Sequence, residues 1–91
     1  MNFVWNERKR ESNLEKHGVD FADAIGSLLD PNCITHEDED SDGEVRFVTL
    51  GMGFTCVIFV VVWNERGEDV RIISAREANR GERQSYAERL R

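Results

Sequence analysis

The spacing of polar and apolar residues predicts two helices in the first third of the chain. Asn6 is a favourable N-cap for the polar segment 7–17, and Gly18 is a favourable residue to end it, which predicts a surface helix. From Asp20, apolar residues recur at helical spacing until Pro31 stops the pattern. This second segment predicts an amphipathic helix that packs on a core.

A third helix is predicted near the C-terminus. Asn79 followed by Glu82 has the pattern of a capping box and predicts a helix over 80–90. Tyr86 and Leu90 lie four residues apart, so both are expected to bury one side of this helix.

The remaining apolar segments alternate or are rich in β-branched residues, which predicts strands at 2–5, 33–36, 45–50, 55–63 and 70–75. In the last of these, alternation predicts that Val70, Ile72 and Ser74 point to one face. Short connections favour an antiparallel arrangement. Because 33–36 is only a short candidate strand, the expected fold is α+β, with helices against a mostly antiparallel sheet of about four strands, in a single domain over 1–91.

Composition narrows the class of protein. The chain has 91 residues, enough for one core. Its longest apolar run has eight residues, too few for a membrane span, and it begins at Cys56, whereas the apolar core of a signal peptide lies near the N-terminus behind basic residues. Cys33 and Cys56 do not form the pattern of a disulfide framework, and Cys56 opens an apolar run typical of a buried thiol. A cytoplasmic location without membrane contact is expected.

The net charge of −6 is unevenly distributed. Six carboxylates fall within residues 37–44, which predicts a solvated acidic loop, whereas seven Arg and five acidic residues follow from position 66 onward. A local cationic surface can therefore exist on an acidic molecule.

Two patterns of possible metal ligands fail on closer inspection. Residues 38–43 match the first half of an EF-hand calcium loop, but its twelfth position is Thr49 instead of a glutamate. Cys33 and His36 are spaced like zinc ligands, but no second close pair exists. We expect no metal site and no cofactor.

The strongest candidates for chemistry are the arginines of the C-terminal third. Guanidinium groups that converge from a turn, a strand and a helix form a phosphate clamp, because their planar donors match phosphate oxygens. The ordinary alternative is pairing with glutamates on a solvated face. His17 is a candidate general acid or base, since imidazole titrates near neutral pH, or it simply caps the first helix. The arginines concerned are Arg66, Arg71, Arg76, Arg80 and Arg83.

Several motifs in order along the chain resemble the BrnT family of toxins. The most specific are Asn-Leu-x-Lys-His-Gly-Val over 13–19 and Arg-Ile-Ile-Ser-Ala-Arg over 71–76. The others are Trp5-Asn6, Lys9, Phe21, Ala24, Asp30-Pro31, Asp42-Gly43-Glu44-x-Arg46-Phe47, Gly51, Glu65-Arg66-Gly67, Ala78, Glu82-Arg83 and Tyr86.

This resemblance implies a RelE-like ribonuclease, the toxin of a bacterial type II toxin–antitoxin system. It implies RNA cleavage without metal through the ribose 2′-hydroxyl, and neutralisation by a BrnA-like antitoxin that itself binds operator DNA. Carried over to this sequence, it casts Arg66 and Arg76 as phosphate-binding residues and Glu65, His17 or Tyr86 as proton-transfer residues. The supporting RNA contacts would be Lys16, Arg71, Ser74, Arg80 and Arg83.

An alternative from a different class is an interaction module that keeps the fold and the antitoxin but does not cleave RNA. The placement of Glu65, Arg66 and Arg76 separates the two hypotheses. Convergence on one side of the sheet would favour the enzyme, and opposite sides would favour the module.

Overall fold

The computed structural model describes residues 2–39 and 43–91 and confirms an α+β fold, with five strands instead of about four. The elements in chain order are β1 Asn2–Val4, α1 Glu7–His17, α2 Phe21–Leu29, β2 Ile34–Glu39, β3 Val45–Met52, β4 Ile58–Arg66, β5 Asp69–Glu77 and α3 Arg80–Arg89.

The three helices begin where their capping residues predict. The Asn6 side chain accepts hydrogen bonds from the second and third residues of α1, and Gly18 ends α1 in the left-handed conformation with φ of 70°. Asp20 caps α2, and Asn79 and Glu82 form the complete capping box of α3. These signals are local, which is why the sequence alone reveals them.

The strands form one sheet in the order β1-β5-β4-β3-β2. Strands β2 to β5 follow one another as an antiparallel meander, and β1 adds to the edge in parallel with β5. The short connections explain the meander, because a parallel neighbour needs a long crossover. That crossover, from β1 to β5, contains every other element but α3.

The bounds of four strands differ from the prediction: β2, β3 and β5 are longer, and β4 has the predicted nine residues but lies three positions later. Strand β2 continues through Glu37 to Glu39, into the segment expected to be an acidic loop, because each of these residues pairs with β3. Positions 40–42 of that segment lie outside the described residues. Strand β4 starts late, at Ile58, and continues to Arg66, which leaves Gly67 and Glu68 as a two-residue turn.

A bulge in β5 changes which residues share a face. Val62 pairs with Ser74 and Trp63 pairs with Ile72, so Ile73 is an extra residue between them. The prediction that Val70, Ile72 and Ser74 point the same way is therefore wrong, because the alternation is reset at Ile73.

The pairing divides the sheet into two chemically different faces, since partners in register point to the same side. One, the apolar face, carries the core residues Phe59, Val61, Ile72 and Ala75 and the partly buried Trp63. The opposite, cationic face carries all four arginines of the described strands. These are Arg46, Arg66, Arg71 and Arg76.

Helix α2 covers one half of the apolar face. Phe21 and Ala24 are fully buried against Val61 and its neighbours. At Gly51 a Cβ atom would lie 2.3 Å from the Ser27 carbonyl oxygen, so the close approach of α2 to β3 requires glycine there.

Two burial predictions are wrong. Leu90 follows the end of α3 and is 53% exposed, whereas Tyr86 is buried as predicted. Cys56 is exposed in the turn before β4, with a left-handed φ of 67°, because β4 starts only at Ile58. Both thiols are free.

Candidate functional site

A polar groove lies between α1 and β5. Its volume is about 260 Å³. It brings together Lys16, His17 and Ser74, three residues that the resemblance singled out. Ser74 belongs to the cationic face, so the groove opens at the edge of that face. The complete lining is Lys9, Ser12, Asn13, Lys16, His17, Ile73 and Ser74.

Lys9 and Ser12 are groove residues that the predicted site did not include. A sequence signal for them existed, because positions 9, 12 and 16 recur at the spacing of one helix face. Two ammonium groups, one imidazole and two hydroxyls therefore line one groove, a chemistry that suits a phosphate next to a ribose hydroxyl.

Asn13 fixes α1 against β5. Its side-chain amide donates to the carbonyl oxygens of Ala75 at 2.7 Å and Val19 at 2.9 Å, and its Oδ1 accepts from the Ala75 N–H at 3.1 Å. The side chain thus bonds the backbone edge of β5 beyond the point where β1 ends. Asn13 is buried, so these bonds are protected from water and hold the groove walls in place.

The arginines of the cationic face are distributed along it and do not form one clamp. Arg66 pairs with Asp69 at the hairpin turn, whereas Arg76 pairs with Val60 seven residues further along β5. This separates the two backbones by roughly 20 Å. The expected convergence of Arg66 with Arg76 is therefore not observed.

Glu65 lies on the opposite face of the sheet from Arg66 and Arg76. It pairs with Val70 and belongs to the apolar face, whereas Arg66 and Arg76 share the cationic face. Neighbouring residues of a strand point to opposite faces of the sheet, so the side chains of Glu65 and Arg66 point away from each other. The two arginines share a face, as the enzyme hypothesis requires, but they do not converge, and Glu65 on the opposite face favours the interaction module.

Arg76 is held by α3. Its guanidinium donates to both carboxylate oxygens of Glu82, at 2.7 and 2.8 Å. These hydrogen bonds raise the pKa of Arg76 and lower the pKa of Glu82 to about 2. The pair ties the N-terminal turn of α3 to the cationic face.

Tyr86 also forms a hydrogen bond within the protein. Its hydroxyl donates a hydrogen bond to the Asp30 carboxylate, which also accepts a hydrogen bond from the Met52 N–H at 2.8 Å. Burial and the Asp30 carboxylate raise the pKa of Tyr86 to about 12. Nearby, Arg83 donates to the Ala78 carbonyl oxygen at 2.7 Å, and Arg80 is exposed at the start of α3.

A second groove lies where α3 crosses the cationic face. It has a volume of about 280 Å³ and is mostly apolar, with His36, Glu82 and Ser85 as its polar members. His36 is separated from Ser74 by two intervening strands. The two histidines of the chain thus line different grooves.

Within residues 2–39 and 43–91, no three His, Cys, Asp or Glu side chains are grouped so that they could hold a metal ion. The rejected calcium-loop pattern falls partly on positions outside those ranges. No helix in the described part of the chain is both long and apolar enough to cross a membrane.

Comparison with known proteins decides the family. The family model described as the ribonuclease toxin BrnT of type II toxin–antitoxin systems matches residues 5–82. This chain belongs to the BrnT family of ribonuclease toxins. The match covers both specific motifs and every element from α1 to β5.

A solved structure agrees with this assignment. This BrnT family member is 30% identical to the Brucella abortus ribonuclease toxin BrnT, known from a crystal structure at 1.1 Å resolution. The similarity covers 88% of this chain and 99% of the Brucella chain, with a TM-score of 0.69. No curated protein sequence matches the chain.

Proposed function

We propose that this BrnT family member is an endoribonuclease that cleaves RNA through the ribose 2′-hydroxyl without a metal ion. The observation that carries the proposal is the groove in which Lys16, His17 and Ser74 meet at the edge of the cationic face. These residues come from two distant chain segments, and Asn13 holds those segments together.

The proposed reaction is an attack of the ribose O2′ on the adjacent phosphorus. His17 accepts the 2′-hydroxyl proton, the O2′–P bond forms and the P–O5′ bond breaks. The products are a 2′,3′-cyclic phosphate and a 5′-hydroxyl, whose proton comes from an ammonium group of the groove. Lys9 and Lys16 stabilise the charge that develops on the phosphate oxygens, and Ser74 donates a hydrogen bond to one of them.

The arginines of the cationic face are assigned to binding the rest of the RNA. Arg66 and Arg71 lie on this face away from the part that α3 covers, where they can bind phosphates that flank the cleaved one. Arg80 and Arg83 lie on α3 beside the same face and can extend this contact. Arg76 and Tyr86 serve chiefly to fix α3, since both are bonded within the protein.

The proposed protein partner is a BrnA-like antitoxin. Membership of a type II toxin family implies an antitoxin, and contact with operator DNA would then occur through that antitoxin.

The test is RNA cleavage by the purified chain in excess chelator. His17→Gln should reduce the cleavage rate roughly 100-fold or more, since it removes the base. His36→Gln is the matched control, because it removes the other histidine from a different groove and should leave the rate unchanged. Circular dichroism and thermal melting would establish that each variant is folded.

Three results would contradict the proposal in different ways. Cleavage that stops in chelator would exclude the metal-independent reaction. An unchanged rate for His17→Gln would exclude this groove as the reacting site. No cleavage by a parent protein that still binds its antitoxin would favour the interaction module.

A further inference from the structure

The half of the apolar face that α2 leaves uncovered forms an apolar patch. It contains a depression of about 90 Å³, to which all five strands and α2 contribute side chains. Val45, at the margin of the patch, is 43% exposed. The patch is defined by Phe3, Leu28, Val45, Phe47 and Trp63, and the lining of the depression is completed by Thr35, Thr49 and the buried Val70.

The aromatic part of this patch is held rigidly. The rings of Phe47 and Trp63 are stacked with centroids 4.5 Å apart. The Trp63 indole donates to the Thr49 hydroxyl at 2.8 Å, and Thr49 is bonded to Thr35 at 2.8 Å. A preorganised aromatic pair loses little entropy on binding, which is typical of residues that dominate protein interfaces.

Two glutamates lie beside the aromatic pair of the patch. Glu37 pairs in register with Phe47, and Glu65 lies two positions beyond Trp63 on the same face. No strand residue in the described ranges places a Lys or Arg on this face, because the four strand arginines lie on the other one. RNA is therefore repelled here, and a second copy of the chain would bring two acidic rims together.

We propose that the apolar patch binds a segment of the antitoxin in which apolar side chains are flanked by Lys or Arg. The apolar side chains would enter the depression beside Trp63, and the basic residues would meet Glu37 and Glu65. This inference rests on the proposed pairing with an antitoxin but not on RNA cleavage. It places the antitoxin and the RNA on opposite faces of the sheet.

The test measures the affinity of the chain for its own purified antitoxin by calorimetry at two salt concentrations. The double variant Glu37→Lys/Glu65→Lys should weaken binding at least 10-fold and reduce its salt dependence. Asp38→Lys is the matched control for charge reversal, because it neighbours Glu37 but belongs to the cationic face. It should change the affinity less than 2-fold.

A second pair of variants tests the apolar contact separately. Val45→Asp should weaken antitoxin binding at least 10-fold, whereas Val4→Asp should change it less than 2-fold. Val4 is exposed to a similar extent, at 36% against 43%, but pairs with Arg71 on the cationic face. Neither side chain is buried, so both variants are expected to fold, and thermal melting verifies this.

The outcomes separate this inference from the proposed ribonuclease. Weaker antitoxin binding by the patch variants supports the patch whether or not the free chain cleaves RNA. Unchanged binding by both patch variants overturns it, and so does a parent chain that fails to bind the antitoxin. A shift of the oligomeric state in patch variants with unchanged antitoxin affinity would overturn it in favour of self-association.

Discussion

The two faces of the sheet are built from the same strands but have opposite chemistry. The cationic face carries Arg46, Arg66 and Arg71 and opens into the groove of α1, whereas the apolar face carries stacked aromatic rings and glutamates. Alternation along each strand is sufficient to produce this difference. An acidic protein can thus offer RNA a basic surface without becoming basic overall.

The bulge at Ile73 is essential to this separation. Without an extra residue, alternation from Ile72 would put Ser74 on the apolar face with the core. With it, Ser74 joins the cationic face and reaches the groove beside His17. A local irregularity of one strand therefore places a hydroxyl at the candidate site.

The largest effect is expected from removing charge on the cationic face. Arg66→Ala/Arg71→Ala should reduce kcat/KM for RNA cleavage roughly 100-fold, because two fixed cations are lost from the RNA surface. The control is Arg89→Ala/Arg91→Ala, which removes the same charge from exposed C-terminal positions. Equal losses in both double variants would show that only net charge matters and would break the distinction between the faces.

A smaller effect, on the free energy of unfolding, is expected from removing the Asn13 side chain that links α1 to β5. Asn13→Ala should lower the free energy of unfolding by about 2 kcal/mol, because it leaves buried backbone groups of Ala75 and Val19 without a partner. Glu11→Ala, an exposed change on the same helix, should have almost no effect. Urea unfolding measures both. A loss in Asn13→Ala no larger than that in Glu11→Ala would mean that the groove wall is held in another way.

The smallest effect, on the pH dependence of stability, is expected from the Arg76–Glu82 pair that joins α3 to the cationic face. The pKa of Glu82 is about 2 in the folded chain and near 4.5 when unfolded, so its stabilising contribution is present above pH 4.5 and disappears toward pH 2. Partial exposure of the Arg76–Glu82 pair limits this contribution to about 1 kcal/mol.

Urea unfolding at pH 7 and pH 3 tests this contribution. Glu82→Gln should be less stable than the parent at pH 7, and the difference should shrink at pH 3. Glu88→Gln on the same helix serves as the control, since Glu88 is exposed. A difference that stays constant with pH would exclude ionisation of Glu82 as its source.

Local signals explain which parts of the fold the sequence predicts. Asn6, Asp20 and Asn79 mark helix starts because each cap acts on residues two or three positions away. The extension of β2 through Glu37 could not be predicted, because it depends on pairing with Phe47 ten residues later. Cross-strand pairing there overrides a composition that is typical of a loop.

In the candidate site, too, local features could be predicted from the sequence and long-range pairing could not. The motif over 13–19 identifies Lys16 and His17, and the spacing of Lys9 and Ser12 places them on the same helix face. The expected arginine clamp failed because charge along a chain does not report strand register or helix docking. Only the register separates Arg66 from Arg76, and only the position of α3 brings Glu82 to Arg76.

The most direct test of the division between the faces is an NMR titration with an RNA that cannot be cleaved because its 2′-hydroxyls are methylated. The imidazole signals of His17 and the guanidinium signals of Arg71 report on the RNA surface, and the Trp63 indole N–H reports on the apolar face. We expect the His17 and Arg71 signals to shift while the Trp63 signal stays in place. A shift at Trp63 with no change at His17 and Arg71 would contradict the account.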